Sequence, residues 1–132
     1  MAILEVIAAS GATALIISMI VFALNADSAK TGNWIIPAVL SIVFFLYSAI
    51  TVSQEGLTGF WTEHIRDMWG TQIWLDLLLA IGIGFFLLAP QAKAVGMKLF
   101  PWLVFILCTG CIGLLAMLAR FLYLKDRAES AP

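Results

Sequence analysis

Four long apolar stretches, separated by short polar runs, dominate the chain: Ile3 to Leu24, Trp34 to Ser53, Trp69 to Pro90 and Phe100 to Leu124. Each is close to the roughly 20 apolar residues that an α-helix needs to cross a bilayer core. The pattern predicts an all-α integral membrane four-helix bundle, one domain over 1–132, with spans at about 3–24, 34–53, 69–90 and 100–124. The runs between the first two spans and between the last two are short enough only for tight returns, so consecutive spans are expected to be antiparallel. Pro37 and Pro101 fall in first helical turns, where a missing N–H costs little, and Pro90 is expected to close the third span. The longest polar run, 54–68, is different. Phe60, Trp61, Ile65 and Met68 share one face at helical period, whereas Thr62, Glu63, Arg66 and Asp67 project elsewhere. A short interfacial helix is therefore expected between spans 2 and 3, over about 58–68, with Gly70 as the bend into the membrane.

Composition agrees with this pattern and narrows the partners. The chain is 63% hydrophobic and 11% charged, with a mean hydropathy of +1.05, more apolar surface than a soluble domain of this size can bury. Its formal net charge of -1 provides no field for nucleic acid. Membrane lipids, other membrane subunits or further copies of the chain are the expected partners. The first apolar stretch carries Glu5 ahead of its centre and no Lys or Arg, so it is read as a retained span and not a signal peptide, despite the small residues Ala23, Ala26 and Ala29. A bacterial inner membrane is the expected location. Four spans place both termini on one side, and a bias of four Lys/Arg (Arg66, Arg120, Lys125, Arg127) to three (Lys30, Lys93, Lys98) makes that side cytoplasmic.

Trp61, Trp69 and Trp74, with His64, suit a headgroup belt around the interfacial helix. Ser10, Ala14 and Ser18, four apart, form a strip for close helix approach in the first span. The costliest residue is Asp76, a carboxylate inside the third span, and its expected partner is Arg120 near the end of the fourth. Antiparallel pairing of these spans sets Asp76 level with Arg120, Ala80 with Ala116, and Gly84 with Gly113 or Thr109, small residues against small. Asp76 and Arg120 then form either a structural ion pair that fixes register or a site for a polar ligand group, with the structural role preferred.

Other chemistry is thin. No cofactor is predicted and no metal site, because His64 is the only histidine and metal centres need several converging ligands. A pigment or haem contact through His64 is the lesser alternative to a solvated, headgroup-facing side chain. Cys108 and Cys111 lie mid-span as neighbours on one helix face, without the electropositive setting of a redox pair. Ser/His/Asp arrangements, glycine-rich phosphate loops and acidic clusters are absent from the sequence, so no catalytic residue is named.

The second half carries Trp69-Gly70-x-x-Ile73-Trp74-Leu75-Asp76-Leu77, Ala92-Lys93-x-x-Gly96-Met97, and Gly110-x-x-Gly113-Leu114-x-Ala116-x-x-Ala119-Arg120-x-x-Tyr123-Leu124. With these motifs it resembles small four-span bacterial inner-membrane proteins of uncharacterised function, which implies a topology and no activity. The functional expectation is a non-catalytic accessory or assembly subunit of a larger inner-membrane complex. The alternative is a binding or transfer protein for a lipophilic molecule (lipid, isoprenoid or pigment) near Asp76 and Arg120. A membrane enzyme of lipid or isoprenoid metabolism is third.

Overall fold

The computed structural model describes residues 3–24 and 33–131, and those residues are helical apart from short turns. Six helices follow in order: α1 Ile3–Leu24, α2 Ile35–Glu55, α3 Gly59–His64, α4 Met68–Ala94, α5 Leu99–Thr109 and α6 Cys111–Glu129. Three of them, α1, α2 and α4, are long and apolar enough to cross a membrane, and α5 is a shorter apolar helix. The chain divides into two compact units, Met1–Gly32 and Asn33–Pro132. The expected return between the first two spans falls on residues 25–32, outside the described residues.

In the first unit the hydroxyls of Ser10, Thr13 and Ser18 donate to the carbonyls of Ile7, Ala9 and Ala14 on their own helix. Such back-bonding satisfies each of these three hydroxyls on its own helix.

The second unit starts where the Asn33 side chain accepts from Ile35 N at 2.9 Å, opening α2 with Pro37 in its first turn. Gly56, with φ 81, ends α2. The helix α3 stops at His64, four residues short of the expected 58–68 stretch, because Asp67 turns the chain and caps α4 by accepting from Gly70 N at 2.7 Å. Pro90 does not close α4, which continues through it to Ala94. A proline removes one helical hydrogen bond, and the turn is supported here by Gln91 Nε2 donating to the Leu87 carbonyl at 3.0 Å. Gly96 (φ 84) and the bond from Met97 N to Ala92 O form the tight turn into α5.

The largest departure from expectation is at the C-terminal end. The stretch 100–124 is not one helix: it breaks at Gly110, whose φ of 62 and ψ of -125 suit only glycine. The two halves fold back on each other. A methyl group at Gly113 would lie 2.9 Å from the Ile106 Cα, whereas positions seven apart on a continuous helix are separated by about 10 Å. Neighbouring contacts give the direction. Gly110 faces Ile81 and Gly84 faces Leu114, while Leu88, Ala92, Met117 and Phe121 share one buried cluster, so α6 runs parallel to α4. Against α2 it is antiparallel, since Ser41 Oγ donates to Ile112 O at 2.9 Å and Trp34 meets Tyr123. Helix lengths close this geometry: α4 covers about 20 Å from Ile81 to Ala94, and α5 returns over about 16 Å at 1.5 Å per residue.

The core of this unit is therefore the upper half, built around Met117 and Ala92, both fully buried, with Leu88, Met97, Ile106 and Phe121. Below the Gly110 turn only α2 and α4 continue, toward α3. Of α2 only Pro37 and Ser41 are buried, and of α4 only Leu88 and Ala92. All four lie in the half that α6 reaches.

Candidate functional site

The reversal of the last helix redistributes the residues that sequence reasoning brought together. Asp76 lies five positions before Ile81, on the α3 side of the Gly110 turn, and Arg120 lies beyond Met117, at the opposite end. Ion pairs among the described residues join Arg66 to Glu63 and Asp67 and Lys125 to Glu129; Asp76 and Arg120 are not among them. The expected pairing is corrected by geometry: with α6 parallel to α4, Arg120 is level with the Leu88–Ala92 end, about 20 Å along α4 from Asp76. The small-residue ladder goes with it. Gly84 meets Leu114 instead of Gly113 or Thr109, and Gly113 meets Ile106 and Thr109 across the fold-back. Ala80 is exposed, and Ala116 is half-buried on α6. The Gly110 break also falls between Cys108 and Cys111, which are free and do not share a helix.

Asp76 is left on a distinct face. The α4 residues turned to α6 are Ile81, Gly84, Phe85, Leu88 and Ala92. At 100° per residue their mean direction lies roughly 140° around the helix from Asp76. The carboxylate instead shares its side with exposed Leu79, Ile83 and Leu87. An open groove centred about 70° around α4 from Asp76, and bordering that side at Leu79, Ile83 and Leu87, is lined by Leu78, Leu79, Gly82, Ile83, Phe86 and Leu87. Asp76 itself is exposed, with no ion pair or side-chain hydrogen bond among the described residues.

One end of α4 carries a built junction. Gly70 is not a bend but a contact point: a methyl group there would lie 2.6 Å from Glu63 O and 3.1 Å from His64 O, so glycine lets α3 end directly against α4. Thr71 Oγ1 donates to His64 O at 3.3 Å and to Asp67 O at 3.1 Å. His64 Nδ1 bonds to Phe60 O, and since a carbonyl only accepts, Nδ1 is the donor. The imidazole rests against Trp74 at 4.9 Å between centroids, and Phe60 packs on the same indole at 6.0 Å. Of the predicted belt, Trp74 and His64 meet, whereas Trp61 and Trp69 are exposed. Among the described residues no group of three His, Cys, Asp or Glu stands close enough to hold a metal ion.

A second cluster, which sequence reasoning missed, sits at the other end. Tyr123 meets Trp34 edge-on at 5.4 Å between centroids. The guanidinium carbons of Arg120 and Arg127 lie 5.6 and 5.4 Å from the Tyr123 centroid. Its signal was available in the spacing: Arg120, Tyr123 and Arg127 are three and four apart, hence on one helix face. Neither a family model, nor a curated protein, nor a solved structure matches the chain.

Proposed function

We propose that the chain is a non-catalytic accessory or assembly subunit of a larger inner-membrane complex, which it joins through the outward side of α4. The observation that carries this is Asp76. Lipid tails can cover the exposed apolar faces of α2 and α4, but they offer nothing to a carboxylate within a segment of this hydropathy. Within the second unit the expected partner, Arg120, lies at the other end, and Arg66, the cation at the α3 end, is paired with Glu63 and Asp67. A donor from a second subunit, seated along the groove around Gly82, supplies the missing interaction and covers the apolar side in the same step. Small-residue grooves and interhelical polar contacts are how helices associate inside lipid.

In this arrangement the second unit crosses the bacterial inner membrane by α2 and α4, α3 lies at one interface, and α5–α6 enters and leaves from the other. The cations support an orientation. Lys93, Lys98, Arg120, Lys125 and Arg127 gather at the α5–α6 end against Arg66 at the α3 end, so the positive-inside rule places the C-terminal end in the cytoplasm. Binding or transfer of a lipophilic molecule near Asp76 and Arg120 is the second reading, ranked lower because these two residues stand at opposite ends of the second unit.

Native-gel migration of the tagged full chain, extracted in mild detergent, is the test. The wild type is expected in a large species containing other proteins, and Asp76→Asn should reduce that species about tenfold, below the ceiling set by a 2.5–3.5 kcal/mol charged-residue insertion scale. Migration of the wild type as the lone chain, or as copies of itself only, would overturn the proposal.

A further inference from the structure

We propose that Arg120, Tyr123 and Arg127 form a binding site for the phosphate of an anionic phospholipid headgroup. Two guanidinium groups gathered around one ring repel each other, so the cluster stands short of an anion. Arg120 and Arg127 are both exposed, and no carboxylate pairs with either among the described residues; the nearby ion pair is between Lys125 and Glu129. Each guanidinium is within 5.6 Å of the same centroid, one from the preceding helical turn and one from the following turn. A phosphate seated over the tyrosine edge therefore meets a cation on either side, an arrangement in which arginine forks bind phosphate oxygens through paired N–H donors.

Depth argues for a lipid as the source of that phosphate. Tyr123 is held by Trp34, the residue that opens α2, so the cluster sits where an apolar span begins. Indoles at span ends occupy the headgroup level. Arg120 lies one turn nearer the membrane centre and Arg127 one turn farther out, bracketing the height of lipid phosphates. The ring also blocks retreat of the cations onto each other and offers both a π face, which is a reason for an aromatic residue between them. This site does not depend on a partner subunit at Asp76, because it lies at the opposite end of the unit.

The test uses the purified full chain, delipidated in a neutral detergent and supplied with phosphatidylglycerol, phosphatidylcholine or inorganic phosphate, with bound lipid counted by native mass spectrometry. The wild type is expected to retain phosphatidylglycerol in preference to phosphatidylcholine, and inorganic phosphate at millimolar levels should not displace it. Arg120→Gln with Arg127→Gln should weaken phosphatidylglycerol retention about tenfold or more, given a contribution near 1 kcal/mol per cation at a charged interface. Arg120→Lys with Arg127→Lys keeps the charge and should keep the preference, which separates loss of binding from loss of fold. Equal retention of phosphatidylglycerol by the Gln and Lys pairs would overturn the site. Displacement by inorganic phosphate would overturn the lipid as its occupant.

Discussion

Replacing glycines by alanine in α4 and across the α5–α6 turn tests the fold-back by the sign of the effect. On a straight helix, Gly→Ala at an interior position is stabilising by about 0.5–1 kcal/mol, since glycine loses more backbone freedom on ordering. The folded-back pair reverses this at two positions. Gly110 has φ 62 and ψ -125, a conformation that side chains resist, and forcing it should destabilise by about 1–3 kcal/mol. Space is not the obstacle there, because the added methyl would be 3.4 Å from Ile81 Cδ1. At Gly113 the obstacle is backbone. The methyl would lie 2.9 Å from Ile106 Cα and 3.0 Å from Ile106 N. Neither atom can rotate away, so α5 has to shift as a unit, an overpacking effect of about 1–3 kcal/mol.

Two further glycines serve as internal standards. At Gly84 the clash, 2.7 Å to Leu114 Cδ2, is with the end of a flexible side chain. Repacking and helix propensity nearly cancel there, leaving a change within about 1 kcal/mol. At Gly82 nothing stands within 4 Å, and alanine should be neutral or stabilising. Unfolding of the purified chain by denaturant in detergent, followed by far-ultraviolet circular dichroism, reads all four. The expected order of stability is Gly82→Ala highest, then Gly84→Ala, with Gly113→Ala and Gly110→Ala well below the wild type. If Gly110→Ala and Gly113→Ala are both more stable than the wild type, the stretch is a continuous helix and the parallel placement of α6 is wrong.

Sidedness follows from the same geometry: single cysteines at Lys98 and Glu129, in a background lacking Cys108 and Cys111, should react with an impermeant maleimide from the same face of intact cells or inverted vesicles. A cysteine at Glu63 should react from the opposite face, and shared labelling of Glu63 and Glu129 would restore a fourth crossing. At the start of α4, Asp67→Ala should destabilise by about 1 kcal/mol through loss of the cap to Gly70 N, while Asp67→Asn, which can still accept, should lose much less; the same denaturation assay measures both.

Where helices form was legible from apolar periodicity, because each long run satisfies its own backbone hydrogen bonds wherever it sits. Which way the last helix runs was not. Hydropathy across 100–124 averages over Gly110 and hides it, and a single residue of positive φ reverses a helix without changing the composition around it. Asn33, Asp67 and Gly56 are short-range signals, and their roles in starting and ending helices follow from a few neighbouring residues. The Asp76–Arg120 pairing was a long-range inference that rested on the cost of an unpaired charge, equal depth in an antiparallel bundle and the flanking small residues. Once α6 runs parallel to α4, that depth is lost, and so is every small-residue contact derived from it. Pro90 failed as a stop for a related reason. Proline disfavours the preceding residue's helical geometry and removes one donor, but a helix packed at Leu88 and Ala92 on either side of it is held by those contacts.

Reversal of α6 also sorts the charges. In the second unit the α3 end holds Glu55, Glu63, Asp67 and Asp76 with Arg66, and the α5–α6 end holds Lys93, Lys98, Arg120, Lys125 and Arg127 with Asp126 and Glu129. Four carboxylates to one cation face five cations to two carboxylates, so the second unit is strongly polarised along the axis of its helices. A straight fourth helix would have carried Arg120, Lys125 and Arg127 to the acidic end together with Asp126 and Glu129, and reduced that asymmetry by about a third. The fold-back at Gly110 thus does two things at once: it keeps Arg120 and Arg127 at the Trp34–Tyr123 end, where the lipid site is proposed, and it withholds them from Asp76. In the proposed assembly role the carboxylate parted from Arg120 takes its donor from a second subunit's helix, which makes the geometry of one glycine the origin of both proposed contacts.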